Sequence, residues 1–253
     1  MTGSETPLAR SAAEVSVDAE LALFLRRQRT SAIFVTCDGV SSLGHVVESI
    51  GVPLTEVGAL FVNGEPASAS YRPRGGDAVR VLAMPRPQPV DQPRFLLDVH
   101  LGTVARRLRL VGVDAAYDRD ATDDELIEQA NAGRRVLLTQ DRGLLRRRKL
   151  WLGAYVRGAR PADQFADVLD RFAPPLAPWT RCTACNGPLA PARKADVESQ
   201  LRPGTRRTYE SFARCQACGR VYWRGAHSRQ LEATVDAAVR IVSAARAVRG
   251  VGG

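Results

Sequence analysis

The chain has 253 residues, with 36 Lys and Arg against 27 Asp and Glu, so its formal charge is +9. The hydrophobic fraction of 45% argues against a chain that is disordered throughout. No apolar stretch approaches the roughly 18–20 residues that a membrane-spanning helix needs. The first residues, MTGSETPLARSAAE, lack the basic start and apolar run of a signal peptide. We therefore expect a cytoplasmic protein that has no membrane partner.

The positive charge is concentrated in the second half of the chain. Residues 16–86 contain 7 basic and 7 acidic side chains, whereas residues 94–253 contain 28 basic and 17 acidic ones. Such an imbalance indicates an anionic partner, most often nucleic acid, although an Arg-rich composition without a partner would give the same charge.

The first 84 residues predict a disordered tail, residues 1–14, and a small α+β domain, residues 15–84. The apolar runs VSVDAELALFL and IFVTCDG are followed by LGHVVESIG, a helix that Gly51 ends. LFVNGEPA predicts a strand with an Asn-Gly turn at Asn63 and Gly64, and GGDAVRVLAM a final turn and strand. Short strands around one helix are typical of an α+β unit.

GVPLTEVGALFVNGEPAS, with the later RGGDAVRVL, resembles the ubiquitin-like β-grasp domains of the sulfur-carrier group. Sulfur carriers end in a Gly-Gly tail whose carboxylate is activated. Here the last strand runs on into Met84, Pro85 and Arg86. The resemblance therefore implies a binding or scaffolding module with a protein partner rather than a sulfur carrier. We interpret Gly252 and Gly253, at the far end of the chain, as a frayed tail.

Residues 85–93 are predicted to form a semi-rigid linker, because MPRPQPVDQP has four prolines in ten positions. After it, strand and helix patterns alternate through residues 94–175. The strands are RFLLD, VDAAYD, RRVLLTQD and LGAYV, and the helices are LGTVARRLRLVG, TDDELIEQANAG, RGLLRRRK and PADQFADVLDRFA. This alternation predicts an α/β domain with a parallel sheet and crossover helices.

Acidic side chains follow the predicted strands of this domain. The carboxylates at strand ends are Asp98, Asp118 and Asp141, and those at the start of the second helix are Asp123, Asp124 and Glu125. Because the carboxyl ends of parallel strands share one edge of a sheet, these carboxylates can converge there. Carboxylates at close range repel one another unless divalent cations neutralise them. Two such ions can activate water for phosphodiester hydrolysis.

Some of these acidic residues also have structural interpretations. Thr122 to Glu125 read equally well as a capping box, with Thr122 as N-cap and the acidic residues favouring the helix dipole. Asp114 is more typical of a turn or surface carboxylate. Asp98 is harder to explain in this way, because it directly follows an apolar run and precedes a helix.

LLDVHLGTVARRLRLVGVDAAYDRDATDDELIEQANAGRRVLLTQDRGLL resembles the Mut-seven C-terminal RNase family, over residues 94–227. The matching positions are Asp98, the helix 101–112, Asp114, Asp123, and Thr139 with Asp141. The chain departs from the family pattern at Gln140, where Arg is common, and at Val104, where Leu is usual. Neither departure removes a carboxylate.

The resemblance implies a PIN-like nuclease fold and a ribonuclease that depends on Mg²⁺ or Mn²⁺. The implied catalytic residues are Asp98, Asp123, Asp124 and Asp141, of which Asp98, Asp123 and Asp141 are the expected Mg²⁺ or Mn²⁺ ligands. Thr139 can orient a ligand or water, or serve as an ordinary β-branched strand residue.

Residues 176–227 predict a zinc ribbon. RCTACNGPL and RCQACGRVYW carry two Cys-x-x-Cys pairs, Cys182 with Cys185 and Cys215 with Cys218, separated by 29 residues. Two such pairs complete a closed tetrahedral site for one structural Zn²⁺. Cys37 stands alone and is predicted to be a small buried residue.

Basic and aromatic side chains supply candidate RNA contacts. The expected RNA-binding residues are Arg106, Arg107, Arg146, Arg147, Arg148 and Lys149. In the zinc ribbon, core packing is the favoured role for Tyr209 and Phe212, and core packing and base stacking are equally plausible for Tyr222 and Trp223. A structural role is favoured for His227 over contact with the scissile phosphate, and His100 is open between structure and function. Residues 228–253 predict an amphipathic helix and a tail, the helix docking on the body or on a partner.

The sequence thus predicts three modules: an N-terminal α+β β-grasp domain, a central PIN-like α/β parallel-sheet domain, and a C-terminal zinc ribbon. The favoured function is metal-dependent hydrolysis of RNA. The alternative is a non-catalytic RNA- or ribosome-binding adaptor that uses the same basic surface.

Overall fold

A computed structural model describes residues 11–25, 33–225 and 228–251. The chain divides into two compact units, Met1–Pro85 with Asp141–Arg148, and Arg86–Gln140 with Lys149–Gly253. No helix among the described residues combines the length and the apolar composition that crossing a membrane requires.

The regular elements are as follows in chain order. The strands are β1 (Ala12–Val17), β2 (Ile33–Thr36), β3 (Val57–Val62), β4 (Glu65–Ala67), β5 (Ala78–Ala83), β6 (Phe95–Leu97), β7 (Ala115–Tyr117), β8 (Val136–Thr139), β9 (Gly153–Tyr155), β10 (Leu189–Ala192), β11 (Phe212–Cys215) and β12 (Val221–Trp223). The helices are α1 (Leu43–Ile50), α2 (Gly102–Leu110), α3 (Asp123–Ala132), α4 (Arg142–Leu145), α5 (Pro161–Phe172), α6 (Lys194–Val197), α7 (Pro203–Thr208) and α8 (Ser228–Val251).

The first unit is built on a five-stranded mixed sheet in the order β2-β1-β5-β3-β4. The two central strands, β1 and β5, are parallel, and the outer pairings are antiparallel. Ser42 caps α1 by accepting from the His45 N–H, and Gly51, with φ of 122°, ends the helix as predicted. Asn63 and Gly64 take positive φ and form the turn between β3 and β4. The predicted α+β domain is confirmed.

Two details of this unit differ from the sequence interpretation. The first strand begins at Ala12, three residues before the predicted domain start at Val15. Ala12 and Ala13 are buried, but two alanines next to polar residues do not read as an apolar run. Residues 1–10 of the predicted tail, and Gly252 and Gly253, lie outside the described residues.

The segment 141–148, predicted to belong to the central domain, clusters with the first unit. The Arg142 guanidinium donates to the carbonyl oxygens of Leu23 at 2.7 Å and Phe24 at 3.2 Å. Arg146 donates to the Gly51 carbonyl at 2.7 Å. These contacts join residues nearly a hundred or more positions apart, so local sequence patterns do not reveal them.

The second unit contains a four-stranded sheet in the order β7-β6-β8-β9, with every pairing parallel. Its core includes Leu97, Leu108 and Phe172, each 5% exposed or less. The chain leaves the central strand β6 for β7 on one side and then crosses to β8 on the other. The predicted parallel sheet with crossover helices is confirmed, and β6 and β8 flank the point where the winding direction reverses.

The proline-rich segment, predicted to be a linker, packs against α5. The Arg86 guanidinium contacts Asp167 at 2.8 Å and Asp170 at 2.9 Å. The buried Gln88 donates its N–H to the Arg171 carbonyl at 2.6 Å and accepts from the Arg171 side chain at 2.9 Å. Prolines restrict this backbone, and the ion pairs and buried amide fix its position, so it is a packed part of the second unit.

The cysteine-bearing module has a three-stranded antiparallel sheet in the order β10-β11-β12. Val197, Leu201 and Phe212 form its small core, with Tyr209 and Val221 packed against it. The helix α8 packs on α5 and α2 through the buried side chains of Ala238, Val242 and Ala245. The terminal helix therefore docks on the body of the second unit.

Candidate active site and zinc site

Asp98 and Thr139 meet at the carboxyl ends of β6 and β8. Asp98 directly follows β6, is 6% exposed, and donates its N–H to the Leu138 carbonyl at 3.0 Å. Thr139, the last residue of β8, is fully buried, and its hydroxyl donates to Asp98 Oδ2 at 2.5 Å. Ligands of open parallel sheets gather at this edge, where the strand order reverses. The carboxylate predicted from the sequence therefore lies at the expected place.

The backbone after Asp98 holds its carboxylate in position. Asp98 caps a short 3₁₀ turn, Val99–Leu101, and its Oδ1 accepts from the N–H of His100 at 3.3 Å. The Tyr117 hydroxyl donates to the Val99 carbonyl at 2.8 Å. A Cβ on Gly102 would come within 2.9 Å of the Tyr117 ring, so a glycine allows this close packing.

No cationic side chain pairs with Asp98 among the described residues. A buried carboxylate without a cationic partner is costly unless a cation or a proton neutralises it. Two neutral donors hold its oxygens, and each carboxylate oxygen has capacity for a further partner. Asp98 therefore has the chemistry of a ligand for a hard divalent cation.

The acidic start of α3 has a structural role. Thr122 caps the helix by accepting from the Glu125 N–H at 3.4 Å, and Glu125 accepts from the Thr122 N–H at 2.8 Å. The backbone and hydroxyl donors of Thr122 lower the pKa of Glu125. This confirms the capping-box interpretation for Glu125. Asp123 and Asp124 are exposed in the first turn of the same helix.

Asp141 is the N-cap of α4. Its Oδ1 accepts from the backbone N–H groups of Gly143 at 2.6 Å and Leu144 at 3.3 Å. The side chain is exposed. The helix cap accounts for one carboxylate oxygen of Asp141 and provides a structural reason for an aspartate here.

Ligand atoms of three or more His, Cys, Asp or Glu side chains come within 4.8 Å of one another at one place in the described chain, which is the cysteine cluster. Asp98, Asp123 and Asp124 do not form such a group. The structure thus brings Asp98 together with Thr139 and leaves the two aspartates of α3 exposed at their helix start.

The four cysteines form a compact quartet. Cys182 Sγ lies 3.7 Å from Cys218 Sγ, and Cys185 Sγ lies 3.4 Å from Cys215 Sγ. Four sulfurs bound tetrahedrally at about 2.3 Å from one zinc ion would be roughly 3.8 Å apart. The quartet fits a closed structural zinc site, as the sequence predicted.

The pKa values of Cys182 and Cys185 are shifted in opposite directions. Burial raises the pKa of Cys182, but the Tyr222 hydroxyl, 2.9 Å from its sulfur, and nearby backbone N–H groups outweigh burial and bring the pKa to about 6. Burial and the neighbouring sulfurs raise the pKa of Cys185 to about 12. The Cys185 thiol therefore resists ionisation, and a bound divalent cation would favour its thiolate form.

Sequence reasoning missed the contacts that fix the zinc module to the sheet. Arg109, buried in α2, donates to the carbonyl oxygens of Ala115 at 2.7 Å, Thr183 at 3.2 Å and Ala184 at 2.8 Å. Asn186 accepts from the Ala115 N–H at 3.1 Å. A possible sequence signal is Asn186 itself, since an Asn directly after the first cysteine pair suits the positive φ of 70° found there.

The predicted RNA-binding residues differ in exposure. On α2, Arg106 is exposed and Arg107 is half-buried. Arg147, Arg148 and Lys149 are exposed, whereas Arg146 is half-buried and binds the Gly51 carbonyl. Part of the Arg146 guanidinium is therefore committed to the fold.

The structure also places the aromatic, histidine and cysteine residues that the sequence singled out. Phe212 is buried in the ribbon core, with Tyr209 packed against it, as predicted. Tyr222 contacts Cys182, whereas Trp223 is 42% exposed. His100 is exposed, and His227 lies outside the described residues. Cys37 is half-buried rather than buried, and its thiol donates weakly to the Val35 carbonyl.

Comparisons with known proteins agree with this architecture. A family model described as the Mut7-C RNAse domain matches residues 93–235, and one described as Mut7-C ubiquitin matches residues 10–90. No curated protein and no solved structure matches the chain. The first match spans more than half of the 253 residues. The chain therefore belongs to the Mut7-C RNAse domain family, with a Mut7-C ubiquitin domain preceding the RNAse domain.

Proposed function

We propose that this chain is a Mg²⁺- or Mn²⁺-dependent ribonuclease and that Asp98 is the central metal ligand. The observation that carries the proposal is the buried Asp98 carboxylate at the carboxyl end of β6, held by the buried Thr139 hydroxyl at 2.5 Å. Membership of an RNAse family supports RNA as the substrate.

Asp123 and Asp141 are the further proposed ligands, with Asp124 as an alternative on the same helix turn. Asp123 and Asp124 offer exposed carboxylates. Asp141 follows Thr139 by two residues in the chain. These carboxylates would hold an ion that supplies Lewis-acid activation of water and neutralises charge on the phosphate.

The other roles belong to residues of the chain itself. Thr139 orients the Asp98 carboxylate through its hydroxyl. The exposed groups Arg106, Arg147, Arg148 and Lys149 bind RNA phosphates, with Arg107 and Arg146 contributing less because they are half-buried. As part of this proposal, the parallel-sheet domain has a PIN-like fold. A reducing cytoplasm is the compartment in which the four cysteines would remain available to zinc.

The test is RNA cleavage by the purified full chain in buffer without added divalent ions, followed by addition of Mg²⁺ or Mn²⁺. Omission of ions is better than chelation, because a chelator would also threaten the zinc site. We expect cleavage to require the added ion and to fall by at least about a hundredfold in Asp98→Asn and Asp141→Asn. Asp163→Asn, an exposed carboxylate of α5 paired with Arg160, is the matched control. Cleavage unaffected by both site substitutions would refute the proposal.

One observation favours a second candidate, a non-catalytic RNA- or ribosome-binding adaptor. Asp98, Asp123 and Asp124 do not form a compact ligand group, and Asp141 has a capping role. Salt-sensitive RNA binding without turnover, together with no Mn²⁺ binding that depends on Asp98, would identify the adaptor instead.

A further inference from the structure

A shallow groove lies on the zinc module beside its second cysteine pair. Its lining includes Gln200, Arg214, Cys218, Arg220, Val221 and Trp223. The two arginines are exposed, and none of these lining side chains is acidic. The lining of the groove therefore carries two positive charges and is open to solvent.

Strand register places the indole and one guanidinium on the same face of the ribbon. Phe212 pairs with Trp223, and Arg214 pairs with Val221, across antiparallel β11 and β12. Side chains two residues apart on a strand share a face, so Arg214 and Trp223 are diagonal neighbours. Tyr222 points to the opposite face, where its hydroxyl contacts Cys182.

Core packing and charge balance do not explain this arrangement fully. The module core is formed by Val197, Leu201 and Phe212. Trp223 pairs with Phe212 on the same face of the sheet but remains 42% exposed. Arg214 and Arg220 can offset the negative charge of a zinc ion with four thiolates, but an exposed indole has no part in that. A large aromatic face beside two cations is the combination that binds an unpaired base and its phosphates.

We propose that this groove binds single-stranded RNA, with one base stacked on Trp223 and flanking phosphates paired with Arg214 and Arg220. The inference rests on the proposed function in that it takes RNA as the ligand, and it adds the strandedness and the docking surface. Bases within a duplex are already stacked on one another, so a duplex cannot offer a free face to the indole.

The experiment measures equilibrium binding of a fluorescein-labelled oligouridylate of about ten nucleotides, a length that OB-type single-strand sites also cover. Binding is followed by anisotropy without added divalent ions, so that it is separated from cleavage. We expect Trp223→Ala and Trp223→Leu to weaken binding by about fivefold to a hundredfold. Arg214→Ala should lower the slope of log affinity against log salt by about one.

The leucine variant separates stacking from packing, because it keeps apolar bulk on β12 but offers no aromatic face. Trp223→Phe should keep most of the affinity. Trp151→Ala is the matched control, since Trp151 is 44% exposed and also lies next to a guanidinium, that of Arg134 at 5.2 Å. Zinc content and thermal unfolding establish that each variant is folded.

Two outcomes would overturn the inference: unchanged affinity in zinc-loaded Trp223→Leu, or equal binding of an RNA duplex. Its failure is distinguishable from failure of the proposed function. If the chain cleaves RNA but binds it independently of Trp223, only the groove proposal is wrong. If the chain binds RNA through Trp223 but never cleaves it, the groove proposal stands and the ribonuclease proposal is wrong.

Discussion

The side-chain amide of Asn186 donates to Asp114 Oδ1 at 2.8 Å, which joins the first cysteine pair to the residue before β7. Asp114 also accepts from Arg135 at 2.6 Å. Because Asp114 precedes a parallel strand and Asp98 follows one, the two carboxylates lie at opposite ends of the sheet. The zinc module is therefore anchored at the end of the sheet opposite the proposed catalytic edge.

Loss of the Asp114 side chain should destabilise the second unit. Asp114→Ala removes the carboxylate that accepts from Arg135 and Asn186, both partly buried, which should cost about 1–3 kcal/mol. Urea unfolding measures the effect. Asp163→Ala serves as control, because its partner Arg160 is exposed and such surface pairs contribute little. Equal midpoints for the two variants would contradict the anchoring role of Asp114.

The same carboxylate predicts a dependence of stability on pH. Burial raises the pKa of Asp114, but hydrogen bonds from Arg135 and Asn186 outweigh it, so the folded-state pKa lies below the ordinary value. The stabilisation is complete above the unfolded pKa, about 3.9, and is lost as the pH falls through the folded pKa. The difference in unfolding free energy between the natural chain and Asp114→Asn should therefore be constant near neutral pH and shrink below about pH 4. A difference that grows in acid would contradict this.

The sequence correctly predicts those helices and strands whose patterns lie within a short stretch of the chain. The amphipathic runs of α2, α3 and α5, and the apolar strands β6 to β8, are found within two or three residues of their predicted positions. Caps such as Thr122 and the turn at Asn63 are equally local, because each depends on residues three or fewer positions away.

Local patterns do not reveal whether a side chain is buried or which distant residues it contacts. Arg106, Arg107 and Arg109 stand in one basic run, yet Arg109 is buried and holds the backbone of the first cysteine pair, whereas Arg106 is exposed. The short helices α6 and α7 are polar and carry no periodic apolar face, so no pattern marked them. For the candidate site, the strand-end position predicted Asp98, but the hydrogen bond from Thr139 follows only from the pairing of β6 with β8.

The zinc content of the purified chain should depend on the four clustered cysteines and not on Cys37. We expect one zinc ion per purified chain, and loss of that ion in Cys182→Ser and Cys215→Ser, because each removes a thiolate from a closed four-ligand site. Elemental analysis measures the metal, and hydrogen exchange should show lost protection in β10 to β12. Cys37→Ser is the control and should retain zinc, since Cys37 lies in the first unit. Zinc retained by both quartet variants would rule out this site.

Thr139 should act by positioning Asp98. Thr139→Val keeps the shape of the buried side chain but removes the donor to Asp98 Oδ2, and activity should fall by about tenfold to a hundredfold. The Mn²⁺ concentration needed for half-maximal cleavage should rise, a change that a purely structural role would not produce. Thr139→Ser restores the hydroxyl and should recover most of the activity. A serine variant as poor as the valine variant would show that packing, and not the hydrogen bond, matters.

Substitution of Gly112 should disrupt the close packing of the backbone that leads to the zinc module. Its φ is 83°, and an added Cβ would lie 1.9 Å from the Ala177 carbonyl oxygen. The Ala177 N–H donates to the Val111 carbonyl at 3.0 Å, so the backbone leading to Cys182 is packed on the end of α2. Because a backbone carbonyl cannot move aside as a side-chain end can, Gly112→Ala should lose roughly 3 kcal/mol or more.

Gly204→Ala is the matched control for this substitution. Gly204 lies in α7, has nothing within 4 Å of the added Cβ, and does not have the positive φ of Gly112. Alanine favours a helix over glycine by up to about 1 kcal/mol, so this variant should be as stable as the natural chain or slightly more so. Thermal unfolding and zinc content separate the two cases. Equal stability of both alanine variants would mean that the contact between Gly112 and Ala177 does not fix the path of the chain into the first cysteine pair.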